Sequence, residues 1–168
     1  MMQQLVDAIT RNIEHTGELY DQILAIERGK QRAIVASDIH ALTQIVAREE
    51  DLVNAATELE AERNLLRTRF AEADPRLGPD SRLEHIIAII DGPPRDRLAE
   101  RREHLLALAA QINEVNRLNF QLLRSSLDLV RGILHDVLGG SPIPTTYTPP
   151  GQHESPDFHA ATRVDHVL

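Results

Sequence analysis

One stretch constrains this chain more than any other: residues 94–138, where apolar side chains recur at spacings of three and four until Gly139-Gly140 ends the pattern. Leu98, Leu105, Leu108, Ile112, Val115, Leu118, Leu122, Leu129, Ile133 and Val137 make one stripe, the periodicity of a helix face packed on neighbouring helices. A second stripe begins only at Phe120 and runs through Leu123, Leu127, Val130, Leu134 and Leu138, rotated from the first. A helix apolar over much of its girth is either buried on several sides or made for a partner, and the Pro-rich polar residues that follow are poorly suited to cover it. At about 1.5 Å per residue the predicted helix is a rod on the order of 65 Å long, more than a compact globule accommodates.

Two further rods precede it. Residues 3–35 place Leu5, Ile9, Ile13, Leu19, Tyr20, Ile23, Ile26, Ala33 and Ile34 on one broad stripe. Ser37-Asp38 then offers an N-cap oxygen ahead of Ile39, Leu42, Val46, Val53, Ala56, Leu59, Leu66 and Phe70, so the connection is short and the two helices form an antiparallel hairpin. Asp74-Pro75 and Gly78-Pro79 end the second helix near Ala73. Ser81-Arg82-Leu83-Glu84 has the form of a capping box, and Leu83, Ile86, Ile87, Ile89 and Ile90 make a short apolar helix that Asp91-Gly92-Pro93-Pro94 terminates. The fold expected is all-α: a coiled-coil-like bundle of three long antiparallel helices, with one short helix between the second and third. Residues 1–140 form the bundle domain and 141–168 a Pro-rich disordered tail, whose composition buries too little apolar surface to fold alone. The rods of the first two helices are shorter than the third, so one end of the third projects, and the doubly apolar end is the candidate.

Composition enters by exclusion. With aromatics at 3% and neither Trp nor Cys, the core is aliphatic, and disulfides, thiol nucleophiles and Cys-based zinc sites are ruled out. Residues 1–30 lack a signal-peptide run, and no segment reaches the roughly 18 to 20 apolar residues of a membrane span, so a soluble chain without membrane insertion is expected. A net charge of -8 with dispersed Arg and Lys argues against nucleic acid. Eight histidines raise the question of a metal, but no Glu-x-x-His occurs, and Glu100 and His104 are an ordinary pair four apart. No nucleophile elbow, phosphate loop or Cys-His set is present, so no catalytic, cofactor or metal residue is assigned. Glu49 and Arg63 fall in phase with the second helix's apolar positions, and Asn116 and Asn119 lie beside the third helix's stripe. They are either solvated at the stripe edge or buried to set register between long helices.

Several residues in order then carry a family likeness. Leu19-Tyr20, Leu24, Lys30, Ala33-Ile34-Val35, Asp38, Leu42, Glu49-Glu50, Leu59-Glu60 and Arg63, with the later Asn116-x-x-Asn119-x-x-Leu122-Leu123, Ser126-Leu127 and the element from Tyr147 to Gly151, resemble the FlgN family of flagellar export chaperones over about residues 5–151. The resemblance implies a cytoplasmic chaperone of the flagellar type III secretion system. It would hold hook-filament junction (hook-associated) proteins before export, with the export apparatus as a further candidate partner. Partner binding is then expected at Phe120, Leu123, Leu127, Val130, Leu134, Leu138 and Tyr147, in a monomer or weak dimer. The competing reading is a self-associating coiled-coil scaffold in which the second stripe closes a dimer.

Overall fold

The computed structural model describes residues 2–78 and 80–137, and they are helical in four elements: α1 (Met2–Ala36), α2 (Ile39–Ala73), α3 (Leu83–Ile89) and α4 (Pro93–Val137). The α1–α2 connection is two residues long because both helices are capped inside it. Ser37 adopts φ 55°, its N–H donates to the Ile34 carbonyl, and the Asp38 N–H donates to the Ala33 carbonyl, which together form a Schellman closure with Ser where Gly is usual. The next residue starts the new helix at once: the Asp38 carboxylate accepts the Ala41 N–H at 2.9 Å.

Cross-helix contacts set the directions. Asn12 and Thr16 meet Arg63, while Lys30 meets Glu49, so α2 runs antiparallel to α1. Glu14 pairs with Arg101 and Glu27 with Asn119, so α4 runs parallel to α1 and only α2 opposes it. The three long helices thus run up-down-up, each antiparallel to the one before it in the chain: α2 brings the chain back to the end where α1 began, and α3 crosses there before α4 sets out. α1 is the middle helix, packed along both α2 and α4, whereas α2 and α4 have hardly any close backbone approach of their own.

The core is concentrated at that end. Leu5, Val6, Ile9 and Ile13 of α1 meet Leu66 and Phe70 of α2, with Leu83, Ile86 and Ile87 of α3 and Leu98 and Leu105 of α4 closing around them. α3 seals this end, and its cap differs from the capping box expected. Ser81 Oγ accepts the Gly78 N–H, and the residue at the N-cap is Arg82, whose N–H donates to His85 Nδ1 at 3.1 Å. Glu84, expected to complete the box, instead pairs with Arg102 of α4 at 3.1 Å. Gly92, at φ 76°, supplies the left-handed turn that lets Pro93 open α4.

Candidate partner-binding site

Polar side chains buried between the helices decide where α4 leaves the bundle. Near the middle, Arg63 is only 5% exposed; its Nε donates to Asn12 Oδ1 at 3.1 Å and its Nη2 to Thr16 Oγ1 at 2.8 Å. Burial lowers its pKa, and burial first, against the opposing Arg63 charge, pushes the Tyr20 hydroxyl up to about 12. Further along, Glu27 is 1% exposed and collects donors from two helices. Lys30 Nζ reaches it at 3.0 Å and Asn119 Nδ2 at 3.0 Å; Asn116, with its amide turned so that nitrogen faces the carboxylate, donates at 2.6 and 3.1 Å. Lys30 also pairs with Glu49 of α2, so a single ammonium joins two carboxylates. Burial, and then a shared hydrogen bond with Glu27, raise the Glu49 pKa against the opposing pull of Lys30. Glu49 and Arg63, in phase with the stripe of α2, and Asn116 and Asn119, beside that of α4, are thus all tied into inter-helix contacts, with Arg63 and Asn119 fully buried.

Beyond that clasp the packing stops. Asn119 is the last buried residue of α4, and Leu122 is half-buried. Phe120, Leu123, Leu127, Val130 and Leu134 are between 42% and 58% exposed, so five of the expected partner-binding residues sit together on a bare helix face. Leu138 and Tyr147 lie outside the described residues. Leu129, Ile133 and Val137 were expected to belong to the bundle-facing stripe, yet they are 54% to 75% exposed. The reason is length: α4 has 45 residues against 35 in each of its companions, so its last turns run past the ends of the other described helices. The arm from Phe120 to Val137 is about 27 Å of helix, apolar across two stripes.

The structure adds a region that the sequence reading did not single out. Because α2 and α4 stay apart, a crevice runs between them over α1, walled by Leu52, Val53 and Glu49 on one side and Ala109, Ile112 and Asn116 on the other, with Ile23 and Ile26 below. Ala109, Ile112 and Asn116 recur about 18 residues, or five full turns, later as Leu127, Val130 and Leu134. The bare face of the arm is therefore the straight continuation of the α4 wall of the crevice. Val46 and Val53 leave matching apolar surface on α2, at 52% and 43% exposed. The signal for this was present in the sequence as the apolar run of α2, but which of its members α1 would cover depended on packing.

Among the described residues no group of three or more His, Asp or Glu is placed to hold a metal ion, and no helix is long and apolar enough to cross a membrane. What the arrangement offers is an apolar surface one helix wide, held at its root by a polar clasp. It defines an all-helical bundle protein with an open apolar arm.

Comparison with known proteins narrows this class. The chain matches the family described as FlgN protein over residues 1–155, and it belongs to the FlgN family. This is a chaperone family and not an enzyme family, and membership points to a flagellar export chaperone. A relative in Bacillus subtilis (strain 168), described as the uncharacterized protein YvyG, is 24% identical over 131 residues, spanning 78% of this chain and 79% of its own. No solved structure matches.

Proposed function

We propose that this chain is a cytoplasmic export chaperone of the flagellar type III secretion system, one that captures the helical terminal segment of hook-filament junction (hook-associated) proteins and prevents their premature assembly. The observation that carries the reading is the arm: Phe120, Leu123, Leu127, Val130 and Leu134 form a solvated apolar face that begins where the Glu27 clasp ends. A free segment that would otherwise self-associate is covered by laying its own apolar face along the arm, the helix-in-groove mode of recognition. Five anchors at roughly 1.5 to 3 kcal/mol each amount to a gross gain of about 8 to 15 kcal/mol. Ordering and association costs bring this down toward about 8 kcal/mol, a micromolar complex. Such an affinity suits a chaperone that the export apparatus must strip away. Tyr147 is proposed as a further contact beyond the arm.

Titration calorimetry of the full chain, and of a chain ending after Gly140, against the C-terminal segment of a junction protein from the same genome tests this. Micromolar or tighter binding is expected, and loss in the truncated chain would assign the contribution of Tyr147 and its neighbours. Replacing Leu123, Leu127 and Leu134 by Ser should abolish binding while helicity is largely retained. Undiminished binding by that variant would remove the arm from the site, and no binding by either chain would favour the self-associating scaffold.

A further inference from the structure

The exposed face of the arm is spaced for a coiled coil. Phe120, Leu123, Leu127, Val130, Leu134 and Val137 alternate steps of three and four, which makes Phe120, Leu127 and Leu134 the a positions of a heptad and Leu123, Val130 and Val137 the d positions. The e positions beside that seam are Arg124 and Arg131, both exposed. The g positions on its other edge are Asn119, Ser126 and Ile133, none of them charged. One edge of the seam is therefore cationic and the other neutral, on a chain whose net charge is -8.

A second copy is a poor match for this pattern. In an antiparallel pair, e faces e, and the arginines of one arm would lie against those of the other; in a parallel pair, g faces e, and they would meet Ser126 and the buried, Glu27-bound Asn119. Neither arrangement offers them an acid. The ion pair that Arg131 makes with Asp128 is 3.9 Å long and exposed on both sides, too weak to withdraw the guanidinium from a better partner. We infer that the arm is built for a helix of a different protein, one with its own three-and-four apolar seam and with Asp or Glu along the edge that meets Arg124 and Arg131. The inference rests on the arm being the partner site, as proposed above, and adds to it the charge by which the partner is chosen.

The test uses the full chain and two synthetic amphipathic peptides of about three heptads, identical in their Leu and Val seam, one with Glu and the other with Lys at every e and g position. Like charges on both edges keep each peptide from pairing with itself. By fluorescence anisotropy at low salt, the Glu peptide should bind at least about tenfold more tightly, against the pull of the chain's overall negative charge, and the gap should shrink as salt screens it. In the double variant Arg124→Glu, Arg131→Glu the preference should invert. Equal binding of the two peptides, a preference for Lys, or no binding of either would overturn the inference. So would a concentration-dependent dimer in sedimentation of the chain alone that Leu127→Ser dissociates. The two readings part cleanly. Junction-protein segments bound equally by the native chain and the double variant would refute the charge rule while leaving the chaperone. A Glu peptide bound where junction segments are not would uphold the rule and refute the junction-protein assignment.

Discussion

Leu105 and Leu127 occupy the same helix and are the same residue type, so replacing each by Ala isolates what packing contributes. Leu105 is 1% exposed and lies against α1, where its Cδ2 sits 3.9 Å from the position a Gly17 Cβ would take. Truncating it removes buried methyls and leaves a void between two long helices that cannot easily close, at a cost of about 2 to 5 kcal/mol. Against a typical total of about 5 to 15 kcal/mol, that is a large loss. Leu127 is 57% exposed and so gives up far less buried surface, and Ala is at least as good a helix former, so its removal should change stability by no more than about 0.5 kcal/mol. In the complex the order reverses. Covering the exposed part of a Leu contributes about 1 to 2 kcal/mol, so Leu127→Ala should weaken partner binding by roughly 5- to 30-fold. Urea denaturation followed by far-UV circular dichroism, beside calorimetric titration of the same variants, reads both effects. A Leu127→Ala variant as destabilised as Leu105→Ala would mean that the arm is already buried in the free protein, and the reasoning that makes it a binding site would fail.

Three other perturbations probe the scaffold. Ser37→Gly should raise stability by about 0.5 kcal/mol in thermal denaturation, because the residue at φ 55° closing α1 then carries no Cβ in a left-handed conformation; an unchanged or lowered midpoint would show that the turn is unstrained. Glu49→Gln should leave the protein at least as stable at neutral pH. The raised Glu49 pKa means that its favourable contribution is complete below the ordinary glutamate value and is lost as pH rises through the folded one, so the variant's urea midpoint should also vary less over that range. A variant markedly less stable than the parent at pH 7 would instead assign net stabilisation to the Lys30–Glu49 pair. Arg76, hydrogen-bonded to Asp74 through its side chain and backbone, holds that carboxyl at about 2 against an ordinary 3.8. Its contribution is present above pH 3.8 and is lost as pH falls through about 2, a window that carbon-detected NMR titration of the Asp74 carboxyl should reproduce and that Asp74→Asn should abolish.

Much of this protein was legible in the chain. Helix extents follow from local rules: apolar residues three and four apart, Asp38 as a cap, Asp74-Pro75 as a stop and Pro93 as a start all act within a turn of where they stand. The bare face of the arm was legible too, because a second stripe that begins at Phe120 exceeds what one core can use, and its five described anchors are exposed. Local signals served less well where two of them competed for one group, as at Ser81, whose hydroxyl serves the turn at Gly78 and leaves Arg82 to begin α3.

Only the tertiary structure decided which apolar residues count as core. Positions within a stripe do not announce their depth: Ile112 and Leu129 belong to the same stripe by periodicity, yet one is 4% and the other 66% exposed, since periodicity records a residue's direction around the helix and not whether a neighbouring helix reaches that far along it. The same holds for charge. Glu27 and Lys30 are a local pair three apart on α1, but nothing in the order of residues says that Glu49 will join them or that Asn119 will cap Glu27, because those contacts need α2 and α4 in register with α1, and the register of α4 is what fixes the root of the arm at Asn119. Sequence determined the helices and the apolar surplus; the relative lengths and lateral packing of those helices determined where the surplus is left open to a partner.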